Sequence, residues 1–441
     1  MQPLCPDRPM PDADLFAEQL LTLAKQAGAE DAEVFQSRSQ SRPVSFEANR
    51  LKQLESTQAD GTALRIWKNG RPGLIVAYGE VEAQALVDRA ITLSDLNESE
   101  DPELTSGTRK SYSDDGHQVE VKTLLEWGNQ AIDIVRDKYP DVVCGGGWDC
   151  ETENTRIVNS RGLDYSYQDT TISGYLEASL VKGDDFLTIY DGQATRDSVL
   201  DPIAIVAPIL QRLDWAQRNS PAPSGRLPVL LTAKAADLLW GTLQAALNGK
   251  QVLEGASPWN DRAGEAVLAS NIHLSQDPKS GPYGCPFDDE GIETRAMNFI
   301  EGGRLKQFFL DRKTGRELGT PTTGNGFRNL GSNPMPGLFN FIVAGGDTSF
   351  EDLVRSIDDG IILDQILGSG PGISGDLSVN VDLGYRIVRG EIVGRIKDTM
   401  ISGNVYQTLK DAVRFGNDGE WSGSCWTPSL VVDGFSVVGK T

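Results

Sequence analysis

The stretch "LSVNVDLGYRIVRGEIVGRI" (Leu377–Ile396) constrains the fold more than any other part of the chain. Apolar side chains fall on every second residue, through Leu377, Val379, Val381, Leu383, Tyr385 and Ile387, and Arg389-Gly390 then reverses the chain. Period two marks a strand with one buried face; a helix would scatter the same side chains around its axis. "AMNFIEGGRLKQFFLD" adds a hairpin closed by Gly302-Gly303. The C-terminal part is therefore expected to be β-rich, interrupted by helices at Ala233–Asn248 and near Phe350–Ile357.

Two polar stretches divide the chain. "SDLNESEDPELTSGTRKSYSDD" (Ser94–Asp115) is acidic and Ser-rich, and "RNSPAPSGRLP" (Arg218–Pro228) carries three prolines; both read as linkers or long loops. The predicted organisation is α+β: an N-terminal α/β part over 1–95, a middle α/β part over 115–217, and a large β-rich part with few helices over 226–441. In the first part, Asp12 or Asp14 can cap a helix carrying Phe16, Leu20, Leu23 and Ala27, which Gly28 ends. Asn69-Gly70 between two apolar runs signals a hairpin, and "EVEAQALVDRAITL" follows as a second helix. The middle part repeats the pattern, with a helix near Lys122–Lys138 and a strand alternating through Ile172, Leu176, Ala178 and Leu180.

Charge and composition exclude several functions. A net charge of −22 repels phosphate backbones, which argues against nucleic acid as a partner. No apolar run approaches the roughly eighteen residues of a membrane span. The first residues, "MQPLCPDRPMPDADLF", have neither a basic nor an apolar leader region, so the expected location is the cytoplasm. Five cysteines without C-x-x-C read as free thiols. His117 and His273 are the only histidines, too far apart in sequence for a local ligand pair.

The motifs divide on their context. "GPGISG" (Gly370–Gly375) satisfies G-x-G-x-x-G, yet it contains a proline and leads into a strand, so it reads as a glycine-rich turn and not a dinucleotide loop. "FDDEGIETR" (Phe287–Arg295) holds Asp288, Asp289 and Glu290 in a row. The residues favour a capped acidic turn with Gly291 at positive φ, and leave a hard-cation site or a general base as the competing reading. Cys425, beside Trp426, reads as a buried structural thiol.

"FDDEGIETRAMNFIEGGRLKQFFLDRKTG" and "GISGDLSVNVDLGYRIVRGEIVGRIKDTMISGNVYQTL" resemble, in this order, two long signatures of the TldD/PmbA family, also known as the modulator of DNA gyrase family. The ending "TPSLVVDGFSVVG" is similar to its final strands, and the likeness spans nearly the whole chain. The resemblance implies one of two subunit types. TldD-type members are metalloproteases with H-E-x-x-x-H on a helix; PmbA (TldE) types lack those ligands. Together they cleave unfolded or flexible peptides inside an enclosed chamber, with the substrate lying along strand edges.

The corresponding helix here is "LTAKAADLLWGTLQAALNG" (Leu231–Gly249), with the motif position near Thr242–Leu247. It contains no histidine, cysteine or glutamate. Zinc needs neutral imidazole or thiolate ligands about 2.0–2.3 Å from the metal, and the motif's glutamate acts on the activated water. The cysteine pattern of the protease subunit is also missing, since Cys425 lies in another setting. Ala236, Leu239, Leu243, Ala246 and Leu247 instead form one apolar stripe.

The resemblance therefore implies a PmbA/TldE-type subunit without catalytic or metal-ligating residues of its own, and with zinc only on a partner. That partner is a histidine-bearing TldD-type paralogue; the substrates are unfolded peptides; the chain alone forms a homodimer or joins a mixed oligomer. By motif position, Asp288, Asp289, Glu290 and Gly291, with Gly372, Ser374, Gly375 and Asp376, are expected to line the chamber. Two other readings stand beside this one: a stand-alone peptidase with a carboxylate metal site at Asp288–Glu290, and a peptide-binding regulatory module. Gyrase modulation finds no support in so acidic a chain.

Overall fold

The computed structural model describes residues 13–113, 116–411 and 413–439. The architecture is α+β with a large β-rich C-terminal region and few helices. Asp12 lies outside the described residues. Helix α1 (Ala13–Gln26) already includes Asp14, and Gly28 leaves it at φ 88°.

Strands β1 (Asp31–Ser41), β2 (Val44–Glu47), β3 (Arg50–Leu54), β4 (Thr57–Lys68) and β5 (Arg71–Tyr78) come from the first segment. Strands β6 (Arg109–Tyr112), β7 (Val143–Asn159), β8 (Asp164–Lys182) and β9 (Asp185–Thr195) follow. All belong to one sheet, ordered β3-β2-β7-β1-β4-β5, with β8 on β7 and both β6 and β9 on β8. Asn69 and Gly70, at φ 52° and 69°, make the expected tight turn between β4 and β5. Helices α1 and α2 (Ala83–Ser94) cover Val34, Leu64 and Val158. Helices α3 (Val121–Lys138) and α4 (Pro202–Trp215) cover Cys144, Trp148, Ile172 and Leu176.

Helix α4 is an addition to the elements expected for the middle segment, and it carries Pro202 and Pro208. Pro202 sits at the helix start, where no N–H is needed, and Asp201 caps it by accepting from Ile203 N at 2.9 Å. The polar stretch after α2 is a strap and not a free tether. Leu104 is buried, Asn159 donates to the Thr105 carbonyl at 2.8 Å, and β6 pairs in parallel with β8.

The C-terminal region holds two further sheets. The larger one runs β10 (Gly225–Arg226), β26 (Ser436–Gly439), β21 (Thr399–Asn404), β19 (Asp376–Val388), β18 (Asp359–Leu367), β11 (Val229–Leu231), β25 (Leu430–Val432), β22 (Arg414–Phe415), with β20 (Glu391–Ile396) also on β19. The β19–β20 hairpin is the alternating stretch Leu377–Ile396, turning at Arg389 (φ 54°) and Gly390 (φ 75°). The other runs β14 (Arg304–Leu305), β13 (Met297–Glu301), β12 (Leu274–Gln276), β17 (Phe341–Val343), β24 (Cys425–Thr427), β23 (Glu420–Ser422). β15 (Gly326–Phe327) and β16 (Met335–Pro336) form a small ribbon.

Helix α5 (Ala233–Leu247) lies among these sheets. Short helices α6 (Gly249–Leu253), α7 (Arg312–Glu317), α8 (Phe350–Arg355) and α9 (Val405–Thr408) fill the turns between strands. No described helix is long and apolar enough to cross a membrane.

Candidate functional site

Helix α5 is core on one side and cleft wall at its start. Ala236, Leu239, Trp240, Leu243, Ala246 and Leu247 are wholly buried, as the apolar stripe predicts. Trp240 Nε1 donates to Thr427 Oγ1 at 2.8 Å, which ties the helix to β24. Its first turns carry Lys234 and Asp237 into a cleft of about 840 Å³. The opposite walls are the end of β9, the residues leading into α4, and the β23–β24 turn with Trp421 and Trp426.

Two strand edges meet at this cleft. Among the described residues, β9 pairs only with β8, and β23 pairs only with β24. The outer edge of β9 is capped by side chains along its first half: Arg395 donates to the Phe186 carbonyl, Gln365 to that of Thr188, and Lys234 to that of Tyr190. Antiparallel strands alternate their backbone groups, so Gly192 and Ala194 turn outward on the same side as Tyr190. Asp191 Oδ1 accepts from Gly192 N at 2.8 Å, and Ala194 follows inside the cleft, beyond this last capping side chain.

Asp191 and Lys234, which line the cleft, belong to a buried ionic network. Arg212 of α4 bonds Asp191 through Nη1 and Asp364 through Nε, each at 2.7 Å. Lys234 Nζ lies 3.2 Å from the other Asp364 oxygen, 2.8 Å from the Tyr190 carbonyl and 3.0 Å from Gln365 Oε1. Burial pushes the Asp364 carboxyl upward, but Arg212 and Lys234 outweigh it and hold the group below its ordinary range. Burial lowers Lys234 despite Asp364. It also raises Asp191, against the pull of Arg212. Glu420, facing this network without a cation of its own, is raised to about 7, first by burial and then by Asp191.

The acidic turn lies elsewhere. Asp288 is 0% exposed; its Oδ1 accepts from Glu290 N and Ile292 N, and its Oδ2 from Gly326 N at 2.8 Å. Asp289 Oδ2 accepts from Arg328 N at 2.8 Å, and Glu290 Oε2 accepts from Arg312 N at 2.8 Å. Thr105 of the strap donates to the Glu290 carbonyl at 2.6 Å. Gly291 has φ 72°, as the turn requires. Burial raises Asp288 to about 7 and Asp289 to about 6; Glu290 rises well above its usual value through burial and the neighbouring Asp288.

In the other expected stretch, Gly372, Ser374 and Asp376 are exposed, while Gly375 is buried at φ 75°. Asn404 Nδ2 donates to the Ser374 carbonyl and to Asp376 Oδ1, both at 3.0 Å. Thr242 of α5 donates to the Pro371 carbonyl at 3.2 Å. Among the described residues, no hydrogen bond or ion pair joins this turn to the acidic one, and neither lines the cleft at α5.

Cys425 is buried and its thiol is pushed up by burial, as a structural cysteine requires. His117 and His273 are exposed; His117 Nδ1 lies 3.1 Å from the Arg196 carbonyl oxygen, and His273 Nδ1 accepts from Gly302 N. The residues that sequence reasoning missed are Tyr190, Lys234, Asp237, Glu420 and Trp421. Asp237 is the only acid on α5, and that was the one available signal.

Comparison with known proteins places the chain in a family. Residues 32–94 match the PmbA/TldA metallopeptidase domain 1, and residues 224–439 match the PmbA/TldA metallopeptidase C-terminal domain. The chain belongs to the PmbA/TldD family. TldE from Thermococcus kodakarensis superposes with a TM-score of 0.87 at 25% identity, over 96% of this chain and 100% of that one. An uncharacterized protein of Methanocaldococcus jannaschii is 27% identical over 95% of this chain and 98% of its own length. The metalloprotease PmbA of Escherichia coli O157:H7 is 27% identical, over 49% of this chain and 46% of its own.

The family description implies a metal, and the residues present do not fit one. The PmbA/TldD helix α5 offers Asp237 alone among ligand side chains. Among the described residues, no three His, Cys, Asp or Glu side chains come together to hold an ion. The oxygens of Asp288, Asp289 and Glu290 are directed at backbone N–H groups instead.

Proposed function

We propose that this chain is the non-catalytic, peptide-guiding subunit of a TldD/TldE-type metalloprotease acting on unfolded or flexible peptides, with the metal held by a histidine-bearing paralogue. The observation that carries this reading is the pair of strand edges, the end of β9 and β23, that no other strand covers among the described residues, at one cleft beside α5. An extended peptide adds to such an edge through its main chain, which reads conformation and not sequence. The exposed turn Gly372–Asp376 remains a chamber-lining candidate. The buried acidic turn acts by holding the strap and the start of α7 in place. No observation favours a stand-alone peptidase built on Asp288–Glu290.

Two experiments test the reading. Mixing the purified chain with the paralogue should produce peptidase activity that neither shows alone; no gain on mixing would overturn it. Ala194→Pro removes an outward N–H without touching the β8 ladder. It should weaken binding of a flexible peptide several-fold while the melting temperature holds.

A further inference from the structure

The cleft carries side chains that say more about its occupant than the strand edges do. Tyr190, Trp421 and Trp426 present aromatic rings, with the two indoles edge-to-face at 5.6 Å. Asp237 enters from α5 and Glu420 from the β23 edge. Among the described residues, neither carboxylate has an ion pair or a side-chain hydrogen bond. The cations nearby are already committed. Arg212 is held between Asp191 and Asp364, while Lys234 spans Asp364, the Tyr190 carbonyl and Gln365, with its Nζ 4.1 Å from the Tyr190 ring centroid. Asp191 and Asp364 thus balance Arg212 and Lys234, and the carboxylates of Glu420 and Asp237 stay unmatched.

We infer that the cleft selects peptides presenting a basic side chain, whose ammonium or guanidinium head enters between Glu420 and Asp237 while its stem lies along Trp421. This rests on the peptide-guiding reading and deepens it from extended chain to extended chain with a lysine or arginine. Three physical facts converge. A cation completes the two carboxylates in a partly desolvated site. Aromatic faces attract cations and pack the aliphatic stem. The burial that raises Glu420 to about 7 would be offset by an incoming positive charge.

The test uses the full chain and fluorescein-labelled, Gly/Ser-rich peptides identical except for one central Lys, Arg, Gln or Glu. The Lys and Arg peptides should bind at least tenfold more tightly than the Gln peptide, with the Glu peptide weakest. Glu420→Gln and Asp237→Asn should each reduce the Lys-to-Gln ratio at least threefold, and the double variant should bring it near one. Equal binding of all four peptides would overturn the basic preference and leave the peptide-guiding reading standing. A preference that survives the double variant would overturn the assignment to these two carboxylates. No binding of any peptide, in a chain shown to be folded by its near-UV spectrum, would overturn both readings.

Discussion

Lys234 Nζ donates to the Tyr190 carbonyl at 2.8 Å while lying over the ring of the same tyrosine and contacting Asp364 at 3.2 Å. One side chain at the start of α5 therefore joins the β9 edge to the β18 strand of another sheet. Lys234→Met should cost about 2–3 kcal/mol, since Asp364 loses one of its two cations. Urea unfolding measures this, and peptide affinity should fall in the same variant because the β9 edge is no longer held against α5.

Arg212 serves two buried carboxylates at once, so its removal should be more severe. Arg212→Met leaves Asp191 and Asp364 facing each other with only Lys234 between them, and about 3–5 kcal/mol of stability should be lost. A midpoint shift at constant denaturant slope would show this; no shift would mean that water solvates the network.

The acidic turn should make stability depend on pH. Asp288 (about 7), Asp289 (about 6) and Glu290 are raised above their unfolded values near 4. Their neutral forms are favoured in the fold, so their contribution is complete below about pH 4 and is lost as pH rises toward 7. Glu290→Gln mimics the neutral form and should flatten this decline. Unfolding free energies at pH 5 and pH 8 provide the check: the wild-type difference should exceed that of the variant.

Gly291 leaves a side chain no room unless Leu163 moves. A Cβ there would come within 2.3 Å of Leu163 Cδ2, and φ is 72°. Gly291→Ala should cost about 2 kcal/mol or more, combining left-handed strain with overpacking, and thermal denaturation would detect it.

Thiol reactivity should follow burial. Cys144, Cys150, Cys285 and Cys425 are all buried, and burial raises each of their thiols. In a Cys5→Ser variant, a thiol reagent should label nothing quickly under native conditions and four groups after unfolding.

Local pattern determined much of this protein. Alternation wrote β19 and β20, Asn69-Gly70 wrote the β4–β5 turn, the apolar stripe wrote the core face of α5, and the absence of histidine near Thr242–Leu247 was legible directly. Such features are set by neighbours a few residues apart, so a sequence displays them. Helix α4 was hidden by its two prolines: Pro202 stands at the first position, where no N–H is needed, while the helix carries Pro208 in its interior because Ile205, Val206, Ile209 and Leu213 are buried against the sheet. The cleft was invisible for a deeper reason. Tyr190, Lys234, Asp364 and Glu420 come from four elements far apart in the chain, and only the packing of three sheets around α5 brings them together. The role of Asp288 was likewise decided by folding, because nothing in three adjacent carboxylates reveals that the Gly326 amide will close on one of them.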